Sequence, residues 1–593
     1  MVKDEMIWDL SQLVDNAEPA LIQKQLADMV TDAEKLRAEY HSKMAVLDAE
    51  GIKLLLESRD ALTLKFEGAV RYGQLSYMAN STDDAAKQLN DAVRRAMTKV
   101  GQTLAVIDIE LGRLLASKTS IVRDPVLTEY KHYLERILRR APYMLSESEE
   151  QLIIAKDRNG VSAWELLQSD WLSTRTFTME IDGKKKTMPF GEIIGLYQSP
   201  NRDLRKQARQ TVFENLGKDD IVWASAIRAV CEDHVEMCKL RKWPTAMTQS
   251  LIDNDVEEKA IESLMKTMLN NTTLHQRYLK IKAQLLGLPK LADYDLLAPL
   301  PKSPEKTYTW TESRKEVTSA YRDFDEQFGN YINDMYEKLR LDGKVRKGKA
   351  SGAWCVPWMA GKSAFVLQSY NGKMTDVYTQ AHELGHAIHG HLASSAQKPS
   401  NCEVGACVAE TGSLFGELLL TEHLLKKAMT KEEKQAILVI VLDEFSNAAF
   451  QVSARVLFEQ SLYEAIRQGQ FLDAETISKL WLAARDKING DAVEWLDVLK
   501  WDWAKTPHYY LANYRFYNYP YVFAQLFVFA LYGLYKEQGR SFTPKLKALL
   551  AAGSSKSPRE LSTELGFDLT SETFWQNGIK QAEEFVQMLE RTL

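Results

Sequence analysis

Four of the chain's ten histidines, His382, His386, His389 and His391, fall within ten consecutive positions. Two of them frame a glutamate as His382-Glu383-Leu384-Gly385-His386, the pattern H-E-x-x-H. On a helix, side chains at i and i+4 project from one face about one turn apart, so both imidazoles can reach a single Zn²⁺ at roughly 2.1 Å. Glu383 lies beside them, where its carboxylate can meet a metal-bound water rather than the metal. Each residue type has its reason: neutral imidazoles hold a borderline-soft ion, and a carboxylate accepts the water's proton. Ordinary residue frequencies produce the pattern by chance in on the order of a few per cent of chains this long, so a third ligand is the test. Glu403, Glu410 and Glu417 compete for that place. Glu410 follows His386 by 24 residues, enough for the chain to turn and bring a second helix antiparallel to the first. Two histidines and one carboxylate would leave a fourth position for water, the open arrangement of a catalytic zinc. His389 and His391 lie too far along the helix to join the same tetrahedral site. Asp376, six residues before His382, reads either as an acceptor for an imidazole or as a helix-capping acid.

These residues need elements to hold them. The chain has 593 residues, 45% of them hydrophobic and 10% aromatic, with 75 Lys and Arg against 81 Asp and Glu and a net charge of −6. Such a length exceeds the roughly 250–300 residues at which one core stops growing, which predicts at least two lobes. The 29 glycines and 16 prolines together make about 8% of the chain, against a usual figure of roughly 12%, and few helix breakers predict a mainly helical fold. The slightly acidic balance and short basic clusters offer no footprint for nucleic acid. The apolar stretches Ala436–Leu442 and Val522–Tyr535 fall short of a bilayer span and read as buried helix. The first residues carry acids where a signal peptide needs an apolar run, and the five cysteines are too few for a disulfide framework. A cytoplasmic location is expected.

From Leu10 to about Arg140, apolar residues recur at three and four positions, predicting long amphipathic helices broken near Ser117, Asp124-Pro125 and Pro142. Thr176 to Thr187 alternates around Asp182-Gly183 and predicts a β-hairpin. Ser199-Pro-Asn-Arg-Asp203 predicts a cap opening one long helix through Arg228. The main division is expected there, with residues 1–198 an N-terminal helical lobe carrying the hairpin and 199–593 the catalytic domain. The proline-dense stretch Leu286–Lys306 reads as a surface loop. Between Gly348 and Val377, Gly352-Ala-Trp-Cys-Val-Pro and Ala364-Phe-Val-Leu-Gln-Ser-Tyr370 predict a small sheet just ahead of the histidine helix.

Several segments together resemble one known family. They are the Trp8-Asp-Leu-Ser start, the Leu134-Glu … Pro142 … Leu145-Ser-Glu stretch, the Asp376-Val-Tyr-Thr-Gln-Ala-His-Glu-Leu-Gly-His-Ala-Ile-His389 core, Ala409-Glu410 and a C-terminal tyrosine cluster. The chain resembles the oligoendopeptidase F and thimet oligopeptidase family of zinc metallopeptidases, and is most similar to oligoendopeptidase F. The resemblance implies a helical shell of two lobes around a deep channel that admits short, unstructured peptides. It makes His382, His386 and Glu410 the ligands of one Zn²⁺ per chain, with Glu383 as the base. From their positions in the chain, Asp376, His389 and Glu417 are the candidates for supporting partners behind these ligands, with a capping or packing role the competing reading for Asp376 and His389.

The segment Pro507–Tyr521 holds His508 and six tyrosines. Aromatic clusters are usually core. A zinc peptidase, however, needs donors aimed at a tetrahedral oxyanion, and phenols or an imidazolium serve there. By resemblance, His508, Tyr510, Tyr517 and Tyr519 are the candidates. An extended peptide adding to the edge of the strand Ala364–Tyr370 would bind through main chain, with Gly352, Ala353, Ser369 and Tyr370 as contacts; a hairpin that only roofs the helix is the competing reading. The expected activity is a zinc endopeptidase acting on oligopeptides, with no nucleic acid or membrane partner. One rival is a zinc carboxypeptidase, which needs a cation for the substrate's terminal carboxylate and finds its nearest candidate in Arg515. The other is a non-catalytic peptide-binding scaffold. Oligomeric state has no signal in the sequence.

Overall fold

Side-chain caps open several of the helices, among them those starting after Asp48, Asp83, Asn201 and Asp473. The structure is a computed structural model in which residues 5–301 and 306–593 are described. The prolines of the expected surface loop extend to Pro304, and residues 302–305 of that loop lie outside the described residues. So do the first four residues of the acidic N-terminus.

The described chain groups into two compact units. One comprises Met1–Met144, Glu305–Lys427 and Leu534–Phe567; the other comprises Leu145–Pro304, Ala428–Gly533 and Asp568–Leu593. The chain passes from one unit to the other five times, and the division expected at residue 198 falls inside the second unit. A linear reading of composition finds one cut, whereas long-range packing chooses several.

In the first unit, helices Pro19–Tyr40, Ala49–Ala79 and Asp84–Ser117 pack side by side. Asp48 and Asp83 cap the last two by accepting the backbone N–H of Gly51 and Ala86. Their shared core contains Ile52, Leu55, Leu56, Ile107, Leu111 and Leu115. The expected break after Ser117 is taken up by 3₁₀ turns at Thr119–Arg123 and Pro125–Tyr130. The predicted sheet is present and has three strands. Ser363–Leu367 is central, flanked by Leu341–Asp342 in parallel and by Trp354–Trp358 antiparallel, in the register Trp354↔Leu367 to Trp358↔Ser363.

In the second unit the hairpin pairs Thr176–Ile181 with Lys184–Pro189, and Asp182 and Gly183 turn at φ +52° and +73°. Two positive φ values make the turn that matches strand twist, which is why Asp-Gly stands there. The long helix expected from Ser199 is two helices, Arg202–Lys218 and Asp220–Arg241. They part at Asp219, whose carboxylate accepts the Trp171 indole N–H at 2.8 Å. The proline-dense stretch is not a surface loop throughout. Leu291 and Ala292 pair in parallel with Val493 and Glu494, and Asp293 and Asp295 are buried against Arg209, Arg202 and Arg205. Proline density marked the absence of helix, while the buried ion pairs that fix the segment come from residues about 90 positions away. The apolar stretch Ala436–Leu442 belongs to a continuous helical run, Lys431–Arg467, longer than its apolar core suggested. Its most apolar window is 72% buried, as in a core helix.

Candidate active site

The metal-ligand pattern lies on the helix Met374–Ala396 in the first unit. Asp376 opens this helix: its Oδ2 accepts the backbone N–H of Asn371 at 2.7 Å and of Lys373 at 3.0 Å. Asp376 is therefore a capping acid and not the acceptor behind an imidazole. That acceptor is Glu417, whose Oε1 lies 2.6 Å from His382 Nδ1. A carboxylate on Nδ1 leaves Nε2 as the metal-facing nitrogen and fixes the ring's orientation.

Glu410 follows the short helix Ala406–Ala409 and leads into the helix Thr411–Lys427. Two glycines let this helix reach the first. A Cβ on Gly385 would meet the Gly412 carbonyl oxygen at 2.3 Å, and a Cβ on Gly412 would meet the Gly385 carbonyl oxygen at 2.5 Å. Any side chain at either position would hold the backbones apart and carry Glu410 away from the histidines. At Gly416 a Cβ would overlap the Tyr321 hydroxyl, which itself donates to the Ala381 carbonyl at 2.7 Å.

The outcome is a three-ligand cluster, His382, His386 and Glu410, whose ligand atoms lie within 4.8 Å of one another. Glu410 Oε2 sits 3.3 Å from Nε2 of each histidine, so one carboxylate oxygen faces both imidazole nitrogens. This donor set fits a Zn²⁺ ion: two nitrogens and one oxygen face one another, the protein ligand number of an open zinc site. Ser413 donates to the same carboxylate oxygen at 2.7 Å and orients it. Glu403 is exposed and takes no part. Glu383 is 7% exposed, and burial raises its carboxyl above the ordinary range while the neighbouring imidazoles act the other way.

His389 supports the cluster from outside. It is buried, its ring is hydrogen-bonded to the backbone of Ala409 beside Glu410, and burial pushes its imidazole down to about 4. His391 stacks on Tyr331 at 4.3 Å and contacts the Lys362 carbonyl, a packing role.

The sheet differs from the expected peptide-binding edge. Ser363–Leu367 is buried and paired on both sides, so it has no edge to offer. The outer strand is Trp354–Trp358, preceded by exposed Gly352 at φ +84° and half-buried Ala353. This strand runs beside the histidine helix, with Pro357 Cβ 3.9 Å from where a Gly390 Cβ would stand. Ser369 lies beyond the end of the central strand. Tyr370 is buried and donates its hydroxyl to the Tyr308 carbonyl at 2.8 Å, a structural bond.

The tyrosine segment belongs to the second unit and separates into two populations. Tyr510 and Tyr519 are fully buried. The Tyr519 hydroxyl donates to the Ser250 carbonyl at 3.0 Å, and the Tyr510 ring packs edge-on against Trp223. Tyr517 and Tyr521 are each 37% exposed and cluster with half-buried His508, at ring distances of 4.7 Å and 5.9 Å. Tyr514 joins them, 5.5 Å from Tyr517, with its hydroxyl 2.5 Å from the Asn254 amide nitrogen. The outward-facing set is thus His508, Tyr514, Tyr517 and Tyr521. Tyr514 and Tyr521 stand outside the expected set, and spacing does not single them out: Tyr517 and Tyr521 are four apart, but so are Tyr510 and Tyr514, of which Tyr510 is buried. Arg515 is 2% exposed and donates to the Tyr509 carbonyl at 3.2 Å, which removes it as a clamp for a substrate carboxylate.

The chain is similar to known peptidases. Residues 196–581 match peptidase family M3, and residues 116–177 match the N-terminal region described as oligopeptidase F. The group B oligopeptidase PepB of Streptococcus agalactiae is 26% identical over 537 residues, covering 89% of this chain and 88% of its own length. The oligopeptidase PepF of Bacillus subtilis is 24% identical, with 90% of this chain and 81% of that protein covered. Among solved structures, a Chlamydophila abortus protein superposes with a TM-score of 0.88 at 21% identity, over 100% of this chain and 99% of that one. The oligoendopeptidase F of Enterococcus faecium superposes with a TM-score of 0.70 at 20% identity, over 96% and 98% of the two chains, and both show the shared fold. The histidine helix and Glu410 lie inside the matched region, and the chain belongs to peptidase family M3, as a metallopeptidase of the oligoendopeptidase F group.

Proposed function

We propose that the protein hydrolyses internal bonds of short, unstructured oligopeptides, with one Zn²⁺ per chain held by His382, His386 and Glu410. The observation that carries this reading is the single Glu410 oxygen placed 3.3 Å from both histidine nitrogens, with Glu383 on the same helix. A Zn²⁺ held there supplies Lewis acidity, polarising a carbonyl and easing the loss of a proton from water near neutral pH. Glu383 takes that proton as water attacks the scissile carbonyl and hands it to the departing amine. Glu417 keeps His382 in the tautomer that leaves Nε2 for the metal, while Ser413 and His389 hold the Glu410 side. The outer strand from Gly352 and Ala353 onward is the natural place for an extended peptide to add through its main chain. To His508 and Tyr517 we assign contact with the substrate, with Tyr514 and Tyr521 beside them. The five unpaired cysteines favour a reducing compartment, the cytoplasm.

A carboxypeptidase reading would require an accessible cation for the terminal carboxylate, and its candidate Arg515 is buried, 2% exposed. The test is a pair of variants. Glu383→Ala should retain zinc and lose turnover by 10²- to 10⁴-fold or more, whereas His386→Ala should lose both. Full turnover in purified, zinc-loaded Glu383→Ala protein would remove Glu383 as the base.

A further inference from the structure

Behind His508, with Asn518 between them, lies a buried carboxylate that belongs to no metal site. Glu459, on the helix Val452–Arg467, is 2% exposed and points both oxygens at the tyrosine segment. Oε1 accepts the Phe516 backbone N–H at 2.7 Å, and Oε2 accepts the Asn518 side-chain amide at 3.5 Å. Asn518, fully buried, presents its Oδ1 to His508 Nδ1 at 2.9 Å. We infer that Glu459 is a positioning residue which, acting through Asn518, dictates which nitrogen of His508 carries the proton.

The inference follows from counting donors and acceptors. An ionised carboxylate only accepts, so the Asn518 group facing Glu459 must be its NH₂. The other end of the amide, a carbonyl oxygen, then faces the imidazole, and an oxygen there requires an N–H on Nδ1. Neutral His508 is left with a lone pair on Nε2, the nitrogen not engaged by Asn518. Burial lowers the His508 pKa, which favours this neutral form. The same carboxylate anchors strain: Phe516 has φ +54°, costly for a bulky side chain, and its N–H is the group Glu459 Oε1 holds. The buried Arg515 guanidinium nearby offsets part of the cost of keeping Glu459 charged.

A consequence for the reaction rests on the substrate contact proposed above for His508. A bare Nε2 accepts a hydrogen bond, from a peptide N–H of the substrate. The neutral ring carries no hydrogen on Nε2 to donate.

The test reads the tautomer directly, by nitrogen NMR of the zinc-loaded, full-length protein carrying ¹⁵N-histidine. The spectra are taken at pH ~8.5, where His508 is neutral and Glu459, pushed up to about 7 mainly by burial, is ionised. His508 signals are assigned by their loss in His508→Gln. The wild-type ring should be protonated at Nδ1. In Glu459→Gln the oxygen of Gln must stay on Phe516 N–H, its NH₂ faces Asn518, the Asn amide turns over, and His508 should switch to the Nε2–H form. Adding Asn518→Asp restores an oxygen toward the ring, and the double variant should return to Nδ1–H. A wild-type ring protonated at Nε2, or a Glu459→Gln ring that does not switch, overturns the inference. The wild-type reading needs no variant, so a poorly folding substitution does not shield the idea. Peptide hydrolysis adds a separate readout: KM should rise roughly 3- to 10-fold in Glu459→Gln and recover in the double variant. A tautomer switch with unchanged kinetics would keep the relay and refute the substrate contact of His508.

Discussion

In the metal centre two ligands ride on one helix and the third immediately precedes a second, the two backbones touching at Gly385 and Gly412, and the side-chain bonds to His382 and Glu410 come from the second helix. The tyrosine segment has no regular element between Tyr510 and Tyr519; it is held by Glu459 from one helix and by Ser250 and Asn254 from another. Helices set angles and distances through their own geometry, so a ligand at i+4 is placed as soon as the helix forms. An irregular segment takes its shape from whatever buried groups grip it. The two regions should therefore fail differently: the first through backbone separation, the second through loss of individual hydrogen bonds.

The strongest way to break the first region is a methyl group at the crossing. Gly385→Ala places a Cβ 2.3 Å from the Gly412 carbonyl oxygen, and relief of that overlap should cost on the order of 1–3 kcal/mol of stability together with zinc affinity. Thermal unfolding and zinc titration check it; an unchanged melting temperature with full zinc binding would contradict the close approach. Removing a supporting charge is milder. Glu417→Gln should weaken zinc binding about 10- to 100-fold while leaving the apo fold in place, read by competition with a chromogenic chelator.

In the tyrosine segment, burial separates stability from kinetics. Tyr519→Phe deletes the bond to the Ser250 carbonyl and should cost about 1 kcal/mol of stability. Tyr517→Phe, at an exposed position, should leave stability within about 0.5 kcal/mol and change peptide kinetics instead. Denaturant unfolding and steady-state assays on the two variants, compared side by side, separate the roles.

The smallest effect concerns pH and again opposes the two regions. Glu316 is held down at about 2, first by its hydrogen bond to His423 and then by Lys427, both on the helix that follows Glu410. Its folded pKa lies below the ordinary value near 4.5, so its stabilisation is present above that value and fades as pH falls toward about 2. With Lys427 half exposed, solvent screening limits the contribution to no more than about 1 kcal/mol. Glu459 moves the other way, pushed up to about 7 by burial, so the stability linked to it is present below the ordinary value and is lost as pH rises through about 7. The stability difference between wild type and Glu316→Gln should shrink from pH 7 to pH 3; a constant difference would contradict the assignment.

The same contrast explains what the sequence made legible. H-E-x-x-H and the Asp182-Gly183 turn are local rules, and each is found where its spacing placed it. Glu410 needed a helix to turn back, and the glycines that allow the contact have meaning only once both helices are seen. The division of the chain, the buried stretch Leu291–Asp295 and the inward position of Tyr510 and Tyr519 depend on partners tens to hundreds of residues away. Tyrosine composition marked the segment, and burial decided which rings face outward. Ala364–Leu367 is the more apolar strand, a property that belongs to the centre of a sheet, and the edge falls on the neighbouring Trp354–Trp358.

The central claim is that His382, His386 and Glu410 hold a zinc that serves hydrolysis of internal peptide bonds. Its most direct test is mass spectrometry of a peptide blocked at both ends, incubated with the zinc-loaded protein, with the chelated protein and with the chelated protein given zinc again. The account predicts internal cleavage, its loss on chelation and its return with zinc. Cleavage that survives chelation, or zinc-loaded protein that cuts only peptides with a free end, would contradict it.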